Sequence, residues 1–245
     1  MSLAISGGGI ASAKSARRGL EERRVEMENY AKQGSQEWHR ERLGKVTGSQ
    51  LAKVMKKGRK SDWSAAGETY MRQLIAERLT RKPTDTGSNK YFDWGHDHEP
   101  VAKMLYQFLD GTPAVSDCGF IRHPEIAGFG SSPDGLVGED GCLEIKCPFT
   151  PAVHAQNLEA DTIWNSDYEW QVQAHMAVTG RAWCDFVSFH PDFPEELKLR
   201  AIRVERCADM QDDIINLVAR FADQIDVRVK NITEKGIEVV EQLSK

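Results

Sequence analysis

Three charged residues, Asp134, Glu144 and Lys146, stand in a stretch that otherwise consists of turn and buried strand, SSPDGLVGEDGCLEIKCPFT at 131–150. Period-two alternation puts Leu143, Ile145 and Cys147 on one strand face and Glu144 and Lys146 on the other. Asp140-Gly141 is a strong hairpin signal. A turn centred on 139–141 brings Asp134 opposite residues 145–147, beside Glu144 and Lys146. Pro133 and Gly135 give Asp134 the irregular backbone of a kink or bulge. Two carboxylates and a lysine on one sheet face suit phosphodiester hydrolysis. Asp134 and Glu144 are hard oxygen ligands for Mg²⁺. Such a metal lowers the pKa of a bound water. Lys146 can orient that water and stabilise the attacked phosphate. The bland alternative is an exposed hairpin salt bridge, worth roughly 0–1 kcal/mol.

The elements that must position these residues follow from periodicity. SQEWHRERLGKVTGSQLAKVM reads as helix, break at Gly44, then a second helix capped by Thr47 or Ser49. ETYMRQLIAERLT carries Met71, Leu74, Ile75 and Leu79 on one helical face. EPVAKMLYQFLDG repeats the pattern with Val101, Met104, Leu105 and Phe108, and Gly111 stops it. Three short strands follow, then the helix SDYEWQVQAHMAVTG, on which Tyr168, Gln171 and His175 share a face. WCDFVSFH and LKLRAIRVER give two more strands, and two helices, MQDDIINLVARFADQIDVRVKNI and EKGIEVVEQL, close the chain. The order predicts an α/β (α+β) fold with one central mixed β-sheet flanked by helices. Residues 1–30 are small and Gly/Ser-rich and read as a flexible N-terminal arm, leaving 31–245 as one domain. Gly8–Ser15 only approaches a phosphate-loop pattern, because Ala13 replaces its second glycine.

Bulk properties set outer bounds. The 245 residues are 40% hydrophobic and 28% charged with net charge −5, ordinary for a soluble globular protein. No apolar run spans a bilayer and no signal peptide opens the chain, so a cytoplasmic location is the default. Five cysteines without a CxxC pair suggest neither a disulfide framework nor a zinc ribbon. His96, His98 and His123 offer a loose zinc cue without a convincing third-ligand context. The net acidity does not exclude nucleic acid, because KVMKKGRK at 53–60 is locally basic.

The spacing P-D-(x)9-E-x-K resembles the PD-(D/E)xK nuclease motif. SSPDGL, GCLEIKCPFT and YEWQVQAHMAVTG, together with EWHRERLGKVTGS and WGHDHE upstream, resemble in the same order the phage lambda exonuclease and YqaJ-type viral recombinase nuclease family. The resemblance runs from about Ser35 to Glu205 and implies a restriction-endonuclease-like core. It implies that Asp134, Glu144, the Ile145 carbonyl and Glu99 hold Mg²⁺, two ions per site, with Mn²⁺ able to substitute. Lys146 and Gln171 then complete the catalytic set. From the residues alone, Glu99 reads first as a carboxylate at a helix N-terminus.

Arg42, Ser49 and Ser132 match the family's 5′-phosphate pocket. Arg42 offers a charge-assisted fork, and Ser49 lies at an expected helix N-terminus. Arg59 and Lys60 become duplex contacts. Phe92 becomes a strand-separating wedge, or remains a core phenylalanine. The family's acidic residue ahead of the motif aspartate has no clear match beyond Glu125. The implied activity is a processive 5′→3′ exonuclease on double-stranded DNA ends, a homotrimeric ring serving a single-strand annealing protein in phage-type recombination. A structure- or sequence-specific endonuclease and an inactive DNA-binding protein are the rivals on the same fold.

Overall fold

The structure, a computed structural model, describes residues 30–59, 61–84, 87 and 90–243. The expected N-terminal arm, save Tyr30, the near-miss phosphate loop and Lys60 lie outside them. Helix α1 (Gln36–Arg42) starts where Ser35 Oγ accepts from the Trp38 amide. Gly44, at φ +66°, turns the chain into a two-residue strand β1 (Val46–Thr47). A 3₁₀ turn at Gly48–Gln50 leads into α2 (Leu51–Met55). Neither Thr47 nor Ser49 caps a helix by its side chain, contrary to expectation. Val46 and Thr47 are buried and pair in parallel with Phe129 and Gly130, so strand pairing takes the place of the cap.

Helix α3 (Ala65–Thr80) is capped by Ser64 and buries Tyr70, Met71, Leu74 and Ile75, while Leu79 is exposed. Helix α4 (Lys90–Gln107) begins well before the expected boundary at Glu99 and contains Pro100. Its buried residues are Ala102 and Tyr106, and Leu105 of the expected face packs partly against the core, but Val101, Met104 and Phe108 are exposed, so most of that face is turned outward. Tyr106 decides the rotation. Its hydroxyl donates to Asp185 Oδ2 at 2.6 Å, and Arg203 forks the same carboxylate with two bonds of 2.9 Å.

Strands β2 (Val115–Ser116), β3 (Ile121–Arg122), β4 (Phe129–Ser131), β5 (Gly135–Val137) and β6 (Gly141–Lys146) follow. Helices α5 (Pro151–Glu159) and α6 (Ser166–Thr179) cross over to β7 (Trp183–Phe189), which returns as β8 (Leu199–Glu205). The expected single sheet is two: β1-β4-β3, and a mixed five-stranded sheet β2-β5-β6-β7-β8. The C-terminal segment is one helix, α7 (Ala208–Leu243), and Gly236 does not interrupt it.

The central strand β6 is covered on both faces. Leu143 and Ile145 pack with Ala102 and Tyr106 of α4, while Cys142 packs with Val172 and Met176 of α6. Burial on both sides is what a strand paired in parallel with its neighbour requires, and β6 runs parallel to β7. The face that carries Glu144 therefore looks at a helix, not at solvent. A third cluster (Leu51, Met71, Leu74, Phe221 and Ile225) ties α2, α3 and α7 together. Each such fully buried side chain contributes roughly 1.5–3 kcal/mol.

Candidate active site

The motif hairpin has β5–β6 pairs Gly135↔Leu143, Leu136↔Cys142 and Val137↔Gly141. Extended by one pair, Asp134 comes level with Glu144 rather than with residues 145–147. The turn sits earlier than expected because Gly138, at φ +54°, takes the left-handed conformation. Gly141 lies instead inside β6, where a Cβ would meet the Trp183 ring at 2.1 Å. Arg181 Nη1 holds this turn by donating to the carbonyls of Val137, Gly138 and Gly141. Asp134 is tied to β6 twice: its amide donates to the Leu143 carbonyl at 2.9 Å, and its Oδ2 accepts from the Ile145 amide at 2.6 Å.

Glu144 is 2% exposed and is the centre of a network. Lys146 Nζ stands 2.5 Å from its Oε1, and Gln171 Nε2 donates to the same oxygen at 2.7 Å. Gln171 also accepts from Lys146 at 3.1 Å, which closes a triangle. His175 Nε2 meets Glu144 Oε2 at 2.6 Å, and Ser131 Oγ meets His175 Nδ1 at 2.8 Å. Lys146 also lies 5.2 Å above the Tyr168 ring. The shared face of Tyr168, Gln171 and His175 thus packs on the motif strand.

The electrostatics sort the carboxylates into two kinds. Burial pushes Glu144 up, but Lys146 and the His175 hydrogen bond outweigh it and hold the carboxyl below its ordinary range. Burial opposes the charge on Lys146, yet Glu144 and Asp134 keep the ammonium above its ordinary range. Asp134 is pushed well up, first by burial and then by the charges of Glu144 and Glu99. Glu99 is pushed up by burial and by Glu144. Its position inside α4, not at the helix start, removes the helix-dipole explanation for it.

A divalent cation fits this donor set. Asp134, Glu144 and Glu99 are close enough to disfavour one another's charge, and a cation relieves that repulsion. Among the described residues no three His, Cys, Asp or Glu side chains form a ready cage. Mg²⁺ does not ask for one, since it keeps several waters and binds through one or two carboxylates. The zinc cue disperses: His123 Nδ1 accepts from the amides of Glu125 and Ile126, while His98 Nδ1 is bonded to the Trp94 carbonyl.

One cleft of about 970 Å³ is lined by Asp134, Glu144, Ile145, Lys146, Glu99 and Gln171, and also by Arg42, Ser49, Ser132 and Phe92. Arg42 stacks on Trp38, with its guanidinium 3.8 Å from the ring centroid, and burial lowers its pKa. Trp38 Nε1 donates to Ser132 Oγ at 3.0 Å. Phe92 is 68% exposed, so the core alternative for it falls. Arg59 is exposed but does not line the cleft.

Close packing brings the Ser49 turn to the motif. A Cβ on Gly48 would stand 2.0 Å from Ser131 Oγ and 3.3 Å from the Ala174 Cβ. Gly48→Ala is therefore expected to lower stability by about 1–3 kcal/mol, as overpacking does. Thermal unfolding should show a fall of ~2–4 °C per kcal/mol. An unshifted midpoint would mean that the turn yields freely. Ser131 and Trp38, absent from the expected site residues, also line the cleft, with His175, expected only on the face shared with Gln171, and His96, expected only as a zinc cue. The available signals were position one turn beyond Gln171 for His175 and four residues before Arg42 for Trp38.

Comparison with known proteins follows the same segment. The family model of the YqaJ-like viral recombinase domain matches residues 37–182. The alkaline exonuclease LHK-Exo from Laribacter hongkongensis is 36% identical, with 84% of this chain and 100% of that chain covered and a TM-score of 0.76. The same exonuclease in complex with dAMP gives a TM-score of 0.77. A phage-related exonuclease from Haemophilus somnus 129PT shares the fold at 15% identity, a TM-score of 0.64 and coverage of 77% and 96%. The uncharacterized protein R354 of Acanthamoeba polyphaga mimivirus is 29% identical over 111 residues, 40% of this chain and 20% of that protein's length.

Proposed function

The chain belongs to the YqaJ-like viral recombinase family, and from that premise we propose that it is an Mg²⁺-dependent 5′→3′ exonuclease acting on ends of linear double-stranded DNA. The observation that carries the reading is the single cleft. It joins the Asp134–Glu144–Lys146 motif to Arg42, Ser49 and Ser132, so a terminal phosphate and the adjacent scissile bond fit side by side.

Asp134, Glu144, the Ile145 carbonyl and Glu99 would hold Mg²⁺, two ions per site, with Mn²⁺ as a substitute. The metal, when bound, supplies charge for the phosphate oxygens and an acidified water. Lys146 donates to the attacking water or a phosphate oxygen, a contact worth most where charge develops. Gln171 orients Lys146 by accepting from its ammonium. Arg42 holds the 5′-phosphate with a guanidinium already flattened on Trp38, so little freedom is lost on binding. Ser49 and Ser132 add hydroxyl donors. Phe92, exposed at the cleft, stacks on the base pair being opened. Arg59, exposed outside the cleft lining, contacts the duplex, and Lys60 is assigned the same role from family resemblance alone.

The products are 5′-mononucleotides, as the dAMP complex of LHK-Exo suggests, and a 3′ single strand passed to an annealing protein. We place the protein as a homotrimeric ring in the cytoplasm of a phage-bearing bacterium. No described helix is long and apolar enough to cross a membrane.

The test uses linear duplexes with 5′-phosphate or 5′-hydroxyl ends, and covalently closed circles, with Mg²⁺ or EDTA. Loss of the phosphorylated strand only with Mg²⁺ is expected, with circles intact. Cutting of closed circles would instead make it an endonuclease. Arg42→Ala removes a charge-assisted contact worth about 1.5–3 kcal/mol. It should reduce the preference for phosphorylated ends by at least about tenfold while leaving metal binding unchanged. An unaltered end preference would exclude this pocket.

A further inference from the structure

The Ser131–His175 pair has no part in the chemistry just described, yet it is buried at the centre of the site. Glu144, His175 and Ser131 are 2%, 0% and 1% exposed. An ionised carboxylate has about four lone-pair sites. Lys146 and Gln171 occupy two on Oε1, at 2.5 and 2.7 Å, and His175 occupies one on Oε2, at 2.6 Å. A single acceptor site then remains, on the oxygen that His175 holds.

The tautomer follows from the partners. Glu144 accepts only, so His175 Nε2 carries a proton and donates; in the neutral imidazole Nδ1 accepts a hydrogen bond from the Ser131 hydroxyl. The imidazole cannot turn about its Cβ–Cγ bond without losing both contacts. Ser131 is itself confined, because the backbone of Gly48 approaches too closely to admit a Cβ.

We propose that His175, locked by Ser131, is a positioning residue that fixes the Glu144 carboxylate so that its last acceptor site is kept for the metal. The proposal rests on the metal reading given above. Both ring nitrogens of a buried histidine need partners, and here one of the two partners is the liganding carboxylate itself. Partners of this kind behind a liganding carboxylate typically change metal affinity by about 10–100-fold when removed.

The test is Mn²⁺ binding to the full-length protein without DNA, followed by calorimetry, with folding checked by near-UV circular dichroism. His175→Leu, which fills the volume but cannot donate, should weaken Mn²⁺ by about 10–100-fold. His175→Gln, which can donate to Glu144 and accept from Ser131, should stay within about threefold of wild type, less than such a partner's removal costs. Ser131→Ala, which removes one hydroxyl, should weaken Mn²⁺ measurably, toward the low end of that range. A folded His175→Leu with wild-type affinity overturns the proposal, as does a His175→Gln that binds as weakly as His175→Leu. If His175→Leu does not fold, Ser131→Ala decides, and unchanged affinity there overturns it. Wild-type protein that binds no Mn²⁺ would overturn the metal reading itself. Wild-type binding retained in the variants overturns only the positioning role.

Discussion

Lys146→Ala is expected to lower kcat/KM on a 5′-phosphorylated linear duplex by about 10³-fold or more, equivalent to ~4 kcal/mol of transition-state stabilisation. The size follows from where the ammonium sits. It is fully charged, 2.5 Å from Glu144, and its side chain is still 26% exposed toward the cleft. A donor of that kind aimed at developing charge is worth about 10²–10³-fold, and loss of the water's orientation adds to it. The substitution is informative because the carboxylate it leaves behind stays held. Gln171 and His175 still donate to Glu144 at 2.7 and 2.6 Å. Metal binding should therefore persist, or tighten, since a competing cation has gone. Activity within tenfold of wild type would sink the assignment of Lys146. A parallel loss of Mn²⁺ binding would mean that the lysine maintains the site and does not act in the reaction.

Asp134→Asn is expected to remove activity to a similar extent while raising the stability of the metal-free protein by about 1 kcal/mol, or ~2–4 °C in unfolding midpoint. Asn Oδ1 can still accept from the Ile145 amide, so the hairpin is preserved. What disappears is a carboxylate pushed well up by burial and by its acidic neighbours. The sign fixes the pH dependence. The folded state holds the Asp134 proton more tightly than the unfolded chain, so stability falls as pH rises from the ordinary carboxylate range through the raised folded value. The advantage of Asp134→Asn should be greatest above the raised folded value and shrink as pH falls toward the ordinary carboxylate range. Glu144 works in the opposite sense. Its lowered value stabilises above the ordinary carboxylate range, and that contribution is lost on acidification. Asp134 and Glu144 repel one another, so the difference between the two proteins reports the coupled pair. Unfolding midpoints from pH 4 to 8, with and without Mg²⁺, check both points. A variant less stable than wild type at neutral pH would contradict the electrostatic account.

Much of this site was legible because chemistry constrains residue type and a strand has a short period. Alternation alone put Glu144 and Lys146 on one face, and Asp-Gly announced the turn. The register slipped because two glycines compete for the turn, and only three-dimensional packing decides between them. Trp183, distant in sequence, occupies the space above Gly141, which leaves Gly138 to take the positive φ. The face of α4 was misjudged for a related reason. Val101, Met104 and Phe108 are the larger apolar residues, but Tyr106 carries a hydroxyl that must reach Asp185, a requirement invisible to periodicity. Strand β1 was hidden because two residues give no alternation to detect. Glu99, Gln171 and the Arg42–Ser49–Ser132 set came from family resemblance. Nothing in their own spacing separates them from solvated residues, and their convergence depends on the fold.

The parallel pairing of β6 with β7 imposes an order of events on a growing chain. The β5–β6 hairpin is local and can form as soon as Lys146 is available, so Asp134 and Glu144 meet early. Gln171 and His175 arrive only with α6, which packs on β6 and is followed by the parallel partner strand Trp183–Phe189. Until then Glu144 lacks two of its three donors and Lys146 lacks its partner on α6. A chain ending before α6 carries Asp134, Glu144 and Lys146 but lacks the Gln171 and His175 donors that hold Glu144. The motif hairpin is thus completed by elements synthesised after it.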